Sequence, residues 1–451
     1  MVLLKMFIVL ALIVILLRKR VSLGSSMVSG AVLLWLLMYP SRETAWTALR
    51  SALERESTWE VMLAMYFVMA LEYLLRTQGI LDGFMASIRQ LVKSDRILLA
   101  FMPAFLGFLP SMGGALFSAP MVENAAKTYS LSSEDKTAIN YWFRHIWEFS
   151  NPIVPALLLA SEITSVPVSV LIAHLAGYTI LAAVVGWLVL LTGQKFRLPL
   201  PADAVPDQAQ QIYSEPVADK EGADRTSAAN KLKEDRISVA TSKLTESRNS
   251  LSEAKYGALA YVLLAAGPIF ANILLVVLLD LSAALSMGIV VAGMVLLLKQ
   301  KPKGIAEMLR HALDPKLMWG IFSIMLFQET LEATGTITHM VTLLRSSGVP
   351  VQLMVGILAL LIGILTGQLQ GFVAVAFPMI TALSPGNLSL IVIGYVMGVV
   401  GALLSPAHLC LVVTLEYFQA SFGRSLRPIF LMGGIITLVL AVTNLLNQIL
   451  A

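Results

Sequence analysis

Four places in this 451-residue chain interrupt apolar runs with proline, glycine and neutral oxygen side chains. They are Pro110-Ser111-Met112-Gly113-Gly114, Ser150-Asn151-Pro152, Thr366-Gly367-Gln368-Leu369-Gln370-Gly371 and Ser405-Pro406-Ala407-His408. Proline inside a helix frees a carbonyl, and glycine permits an unwound turn. The ends of the half-helices left behind expose N–H groups that attract anions and C=O groups that coordinate cations. Ser111, Gly113, Gly114, Ser150, Asn151, Pro152, Thr366, Gly367, Gln368, Gln370, Gly371, Ser405, Pro406 and His408 are therefore candidates for binding a carboxylate together with Na⁺. The plainer reading is that proline kinks these helices and glycine permits close packing, as in Gly363-x-x-x-Gly367 and Gly394-x-x-x-Gly398.

A second constellation is charged. In Tyr141-Trp142-Phe143-Arg144-His145-Ile146-Trp147-Glu148, Arg144 and Glu148 are four residues apart and can pair on one helix. A charge deep in a membrane span costs roughly 2.5–3.5 kcal/mol on insertion scales, so it is normally paired or functional. Arg144 is suited to an anionic substrate, and His145 or Glu148 to proton coupling; an interfacial pair that only fixes topology is the alternative. Glu72, in the middle of an apolar segment, is a further coupling candidate.

Several chemistries are excluded. No Gly-x-x-x-x-Gly-Lys-Ser/Thr loop occurs, which argues against an ATP-driven pump. His-Glu-x-x-His and Gly-x-Ser-x-Gly are also missing, so a membrane protease or lipase is disfavoured and no enzyme activity is expected. Cys410 is the single cysteine, which rules out an intrachain disulfide and a cysteine-based metal cluster. Neither a cofactor nor a resident metal is expected, only Na⁺ or H⁺ as a coupling ion.

The elements that position these residues must be membrane helices. Hydrophobic residues make up 57% of the chain and charged residues 13%, with mean hydropathy +0.79. In lipid only helices and closed barrels satisfy their backbone, and the long apolar runs exclude alternating strands. The net charge of +4 gives no reason to expect nucleic acid; the basic residues lie between apolar segments, where the bilayer accounts for them. The first apolar run lacks a small-residue cleavage site and is followed by Arg18-Lys19-Arg20, as in a retained helix. Spans are predicted at 2–17, 23–39, 59–78, 138–160 and 166–192, then at 257–280, 283–298, 317–334, 388–413 and 428–449. The remaining apolar stretches, 97–121 and 351–382, are predicted as re-entrant hairpins. With them re-entrant, the main basic clusters face one, cytoplasmic side.

The two sets of spans look like copies. Gly113-Gly-Ala-Leu-Phe-Ser-Ala-Pro-Met121 reappears as Gly371-Phe-Val-Ala-Val-Ala-Phe-Pro-Met379. Tyr141, Pro152 and Glu162 recur as Tyr395, Pro406 and Glu416, and Met62 and Gly79 as Met318 and Gly335. Residues 1–196 and 257–451 are thus read as two repeats of five spans and one hairpin. An odd number of spans inverts the second repeat, the usual plan of a secondary transporter. The polar segment 197–256 is expected to be a cytoplasmic linker with a helix around 226–250.

The hairpins, the broken spans and five spans per repeat resemble the ion transporter superfamily, which includes dicarboxylate/sodium symporters, citrate transporters and gluconate permeases. More narrowly, residues 106–127 (LGFLPSMGGALFSAPMVENAAK) and 141–155 (YWFRHIWEFSNPIVP) resemble a prokaryotic family of integral membrane proteins, domain of unknown function 401. The resemblance implies an all-α polytopic fold in the prokaryotic plasma membrane. It also implies an elevator, in which hairpins and broken spans slide against a homodimeric scaffold. The expectation is cation-coupled transport of a small organic anion such as a carboxylate or sugar acid. An inorganic-ion channel or exchanger, or a non-transporting membrane scaffold, is the alternative.

Overall fold

A backbone immersed in lipid must make its hydrogen bonds internally, and this chain does so with helices. The computed structural model describes residues 2–19, 21–38, 41–108, 115–196, 257–336, 342, 348–383 and 385–450. Among them are 19 α-helices and no strand, as expected for an all-α polytopic membrane protein. The first half contributes α1 (Val2–Arg18), α2 (Leu23–Met38), α3 (Arg42–Glu54), α4 (Glu56–Thr77), α5 (Ile80–Leu91), α6 (Asp95–Phe108), α7 (Ala115–Ala125), α8 (Ser133–His145), α9 (Pro155–Thr164) and α10 (Val168–Leu190). The second contributes α11 (Ala258–Leu278), α12 (Ala283–Leu297), α13 (Pro302–Ala312), α14 (Pro315–Ala333), α15 (Val351–Thr366), α16 (Leu369–Leu383), α17 (Leu388–Leu403), α18 (Leu409–Phe418) and α19 (Phe422–Leu450).

Every segment expected to span is helical. Of these helices α4, α10, α11 and α19 are long and apolar enough to cross a membrane unaided. The expected span 138–160 is α8 and α9 joined through a 3₁₀ turn at Ile146–Phe149, and 388–413 is α17 and α18. The hairpin tip Pro110–Gly114, with Ser111, Gly113 and Gly114, lies outside the described residues, as does the whole expected linker 197–256, including 226–250. Three helices were not anticipated: α3, α5 and α13. Each is amphipathic; α5, for example, buries Ile80, Phe84 and Ile88 on one face while Asp82 on another is exposed.

Burial sorts the helices into an inner and an outer set. On α8 every residue from Thr137 to His145 is buried, and α17 is almost wholly enclosed. By contrast, α10 exposes Ile180, Val184 and Leu188, a single stripe at helical spacing. Such a stripe suits lipid or a partner helix. α4 and α14 both end two residues before a matched left-handed glycine, Gly79 (φ 65°) and Gly335 (φ 63°), the usual helix stop.

Where the inner helices break, carbonyls lose their helical partners, and burial makes each a liability unless a donor is found. Both breaks solve this in the same way. Tyr141 of α8 donates its OH to Leu403 O at the end of α17, at 3.0 Å. Tyr395 of α17 donates to Glu148 O in the 3₁₀ turn after α8, at 3.1 Å. Neither tyrosine is exposed. Each half therefore stabilises the break of the other. Replacing Tyr141 or Tyr395 by Phe keeps the packing but leaves a buried acceptor unpaired, and should cost about 1–2 kcal/mol. Unfolding in detergent should show a lower midpoint for each variant, whereas an unchanged midpoint in both would mean the bonds do not hold the breaks.

Candidate functional site

The break residues anticipated from sequence bind their own half's hairpin. Asn151 Nδ2 donates to Phe108 O, the last residue of α6, at 3.0 Å, and its Oδ1 accepts from Ile153 N at 3.1 Å. In the second half Ser405 Oγ donates to Ile364 O in the last turn of α15 at 2.6 Å and accepts from Ala407 N at 3.2 Å. One short polar side chain thus serves a terminal carbonyl of the hairpin's first helix and pins the turn that follows the break. Asn151 and Ser405 are both fully enclosed. Ser150 is tied instead to α10, through a hydrogen bond with Thr179 Oγ1 at 2.7 Å. The breaks differ in openness: Pro152 is buried, but Pro406 is exposed.

The second hairpin tip is tighter than the sequence suggested. α15 ends at Thr366 and α16 begins at Leu369, so Gln370 and Gly371 lie inside α16 and not in the turn. Gly367 is left-handed (φ 61°), and a Cβ there would come within 2.8 Å of Ser405 Oγ, 2.9 Å of Ala407 C and 3.0 Å of His408 N. Only glycine lets the tip lie flat on the break. At Gly371 a Cβ would meet no more than Thr366, at 3.3 Å. Gln368 is exposed, while Thr366 is buried and donates to Ile362 O at 2.9 Å. The packing role of glycine has support elsewhere, since Gly394 lies against Ile380 and Gly398 against Phe372.

The charged constellation converges on the same place. Arg144 and His145 are 5% and 3% exposed, which removes them from an interface with water. The helix stops at His145, so Arg144 and Glu148 do not share a regular helical turn as the spacing implied. Instead the 3₁₀ turn brings Glu148 Oε1 to 3.8 Å from His145 Nε2. His408, the residue that caps α18, reaches across so that its Nε2 is 3.1 Å from that of His145. The ligating atoms of His145, His408 and Cys410 lie within 4.8 Å of one another, and Arg144 also engages the Cys410 thiol. Tyr141 sets its ring against both imidazoles, tilted to His145 and edge-to-face with His408, with centroids 4.6 Å and 5.3 Å away.

Glu72 is engaged elsewhere: it pairs with Arg76 one turn on in α4, at 2.6 Å. Glu329, near Glu332 in α14, is paired with Arg55 at 2.9 Å. Sequence reasoning did not select Cys410, Tyr141 or Tyr395 as site residues. The tyrosines were visible as repeat markers, and Cys410 stands two residues beyond His408.

Comparison with known proteins places the chain. No curated protein matches it. The solved structure of the Alcanivorax borkumensis YdaH transporter, described as having an unusual topology, is similar at 15% identity and a TM-score of 0.51. That likeness covers 85% of this chain and 83% of that one, and is a likeness of fold. A profile described as "protein of unknown function (DUF401)" matches residues 1–208 and 245–447, nearly the whole chain. The chain accordingly belongs to the DUF401 family.

Proposed function

We propose that this protein is a secondary active transporter that moves a small organic anion, a carboxylate or sugar acid, together with a cation, Na⁺ or H⁺. The observation that carries this reading is Arg144, a guanidinium enclosed where two broken spans meet. A cation held away from water and flanked by helix breaks is a ready receptor for a carboxylate. Neutral oxygens at Ser150, Asn151, Thr366 and Ser405 supply the polar surroundings a small solute and its coupling ion need. The shared fold with a protein described as a transporter agrees with this reading.

The movement would be an elevator. At about 1.5 Å per residue, α6 and α15 are roughly 21 and 24 Å long, short of a hydrocarbon core of about 30 Å. On this reading α6–α7 and α15–α16 re-enter on the side they came from, which leaves five crossings per half and inverts the second repeat. The hairpins and the broken spans α8–α9 and α17–α18 form the moving body. The remaining long helices form a scaffold, dimerising through exposed apolar stripes. Positive-inside charge puts the linker 197–256 in the cytoplasm of a prokaryote.

The test begins with the protein's thermal stability against a panel of carboxylates and sugar acids, with and without Na⁺ and at two pH values. A ligand at a hundred times its Kd should stabilise by about 2.7 kcal/mol. The stabilising anion should then show saturable counterflow in proteoliposomes. Arg144→Gln should weaken it about 10- to 100-fold, the loss of one charge-assisted contact. Flux without saturation or counterflow would make the protein a channel. Unchanged affinity in Arg144→Gln would remove Arg144 from the site.

A further inference from the structure

The two imidazoles at the crossing turn acceptor nitrogens toward each other, an arrangement suited to a cation between them. His145 Nδ1 is 2.5 Å from Tyr141 O, and His408 Nδ1 is 3.2 Å from Ala402 O. A carbonyl can only accept, so both Nδ1 atoms carry the hydrogen. In neutral rings both Nε2 atoms are then bare lone pairs, and they face each other across 3.1 Å with the rings at 85°. Two lone pairs cannot hydrogen-bond. Glu148 brings a further acceptor to 3.8 Å, and its second oxygen, Oε2, is buried with no protein partner among the described residues. Cys410 Sγ completes the group, and Arg144 alone contributes a fixed positive charge to it.

We propose that His145, His408 and Cys410, with Glu148 as fourth donor, bind a thiophilic d-block cation of the Zn²⁺ type. Imidazole and thiolate are the donor set that such ions select over Na⁺, Mg²⁺ or Ca²⁺. Zinc–nitrogen bonds of about 2.0–2.1 Å in a tetrahedron set the nitrogens about 3.3 Å apart, close to the spacing already present. The thiolate and the carboxylate neutralise a dication, which lowers the cost of holding it in a dry site. Each ligating ring donates its other N–H to a backbone carbonyl, the outer-shell arrangement that orients histidine on metals. Cys410 is not fully enclosed and offers the way in. Because His145 and Glu148 come from one half and His408 and Cys410 from the other, the ion would clip the two breaks together.

The experiment uses the full-length, tag-free protein in detergent, stripped with chelator and titrated with Co²⁺, a spectroscopic stand-in for Zn²⁺. The wild type should take up one equivalent per chain and show a thiolate-to-cobalt charge-transfer band. Zn²⁺ should displace the Co²⁺ and raise the melting temperature. Cys410→Ser, nearly isosteric, should lose the band and bind at least tenfold more weakly, and His408→Ala should lose stoichiometric binding. A folded wild type without stoichiometric Co²⁺ or the band would overturn the site, leaving an excess proton shared by the two rings. So would a band that survives in Cys410→Ser. The readout is binding alone, so its failure leaves the transport reading standing.

Discussion

The constraint on which the structure depends is the satisfaction of backbone carbonyls at two buried helix breaks. A span that stops inside the protein leaves acceptors with no helical partner, and an unpaired buried acceptor costs about 1–3 kcal/mol. Tyr141 and Tyr395 meet this need reciprocally, each reaching the break of the opposite half. Asn151 and Ser405 meet the corresponding need within each half, by capping the first helix of the adjacent hairpin. Breaks, hairpins and halves are therefore one connected polar network inside an otherwise apolar body, and only glycine at 367 lets the second tip close onto it.

That network also concentrates charge. The 3₁₀ turn after His145 exists because the helix ends there, and it turns Glu148 toward the histidines instead of along a helical face. His408 arrives from the second break, where it stands at the start of α18. Among the described residues, freed backbone, an enclosed Arg144 and a set of metal-competent donors come together at this crossing.

Much of this was legible in the sequence. The spans followed from hydropathy, because a bilayer imposes length and composition directly. Tyr141 and Tyr395 stood out as a matched pair, and the breaks were marked by Asn151-Pro152 and Ser405-Pro406. Three features were hidden for physical reasons. α3, α5 and α13 are short and apolar on one face only, so a search for uniformly apolar runs passes over them. Gln370 and Gly371 were placed in a turn that closes two residues earlier, since Gly367 alone makes the bend. The meeting of His145 with His408 joins residues that do not correspond in the register read from the sequence, which pairs Tyr141 with Tyr395 but His145 with Val399. For the same reason a single cysteine excluded a cysteine cluster without bearing on a mixed set of donors.

Because Cys410 is the sole cysteine, the wild-type protein carries its own reporter at the centre of the site. The most direct test is labelling of Cys410 by a membrane-impermeant maleimide in chelator-treated vesicles of both orientations. An alternating carrier predicts labelling from either face, with a substrate gradient raising the rate on one side as it lowers it on the other. Labelling confined to one face whatever the gradient would contradict the account.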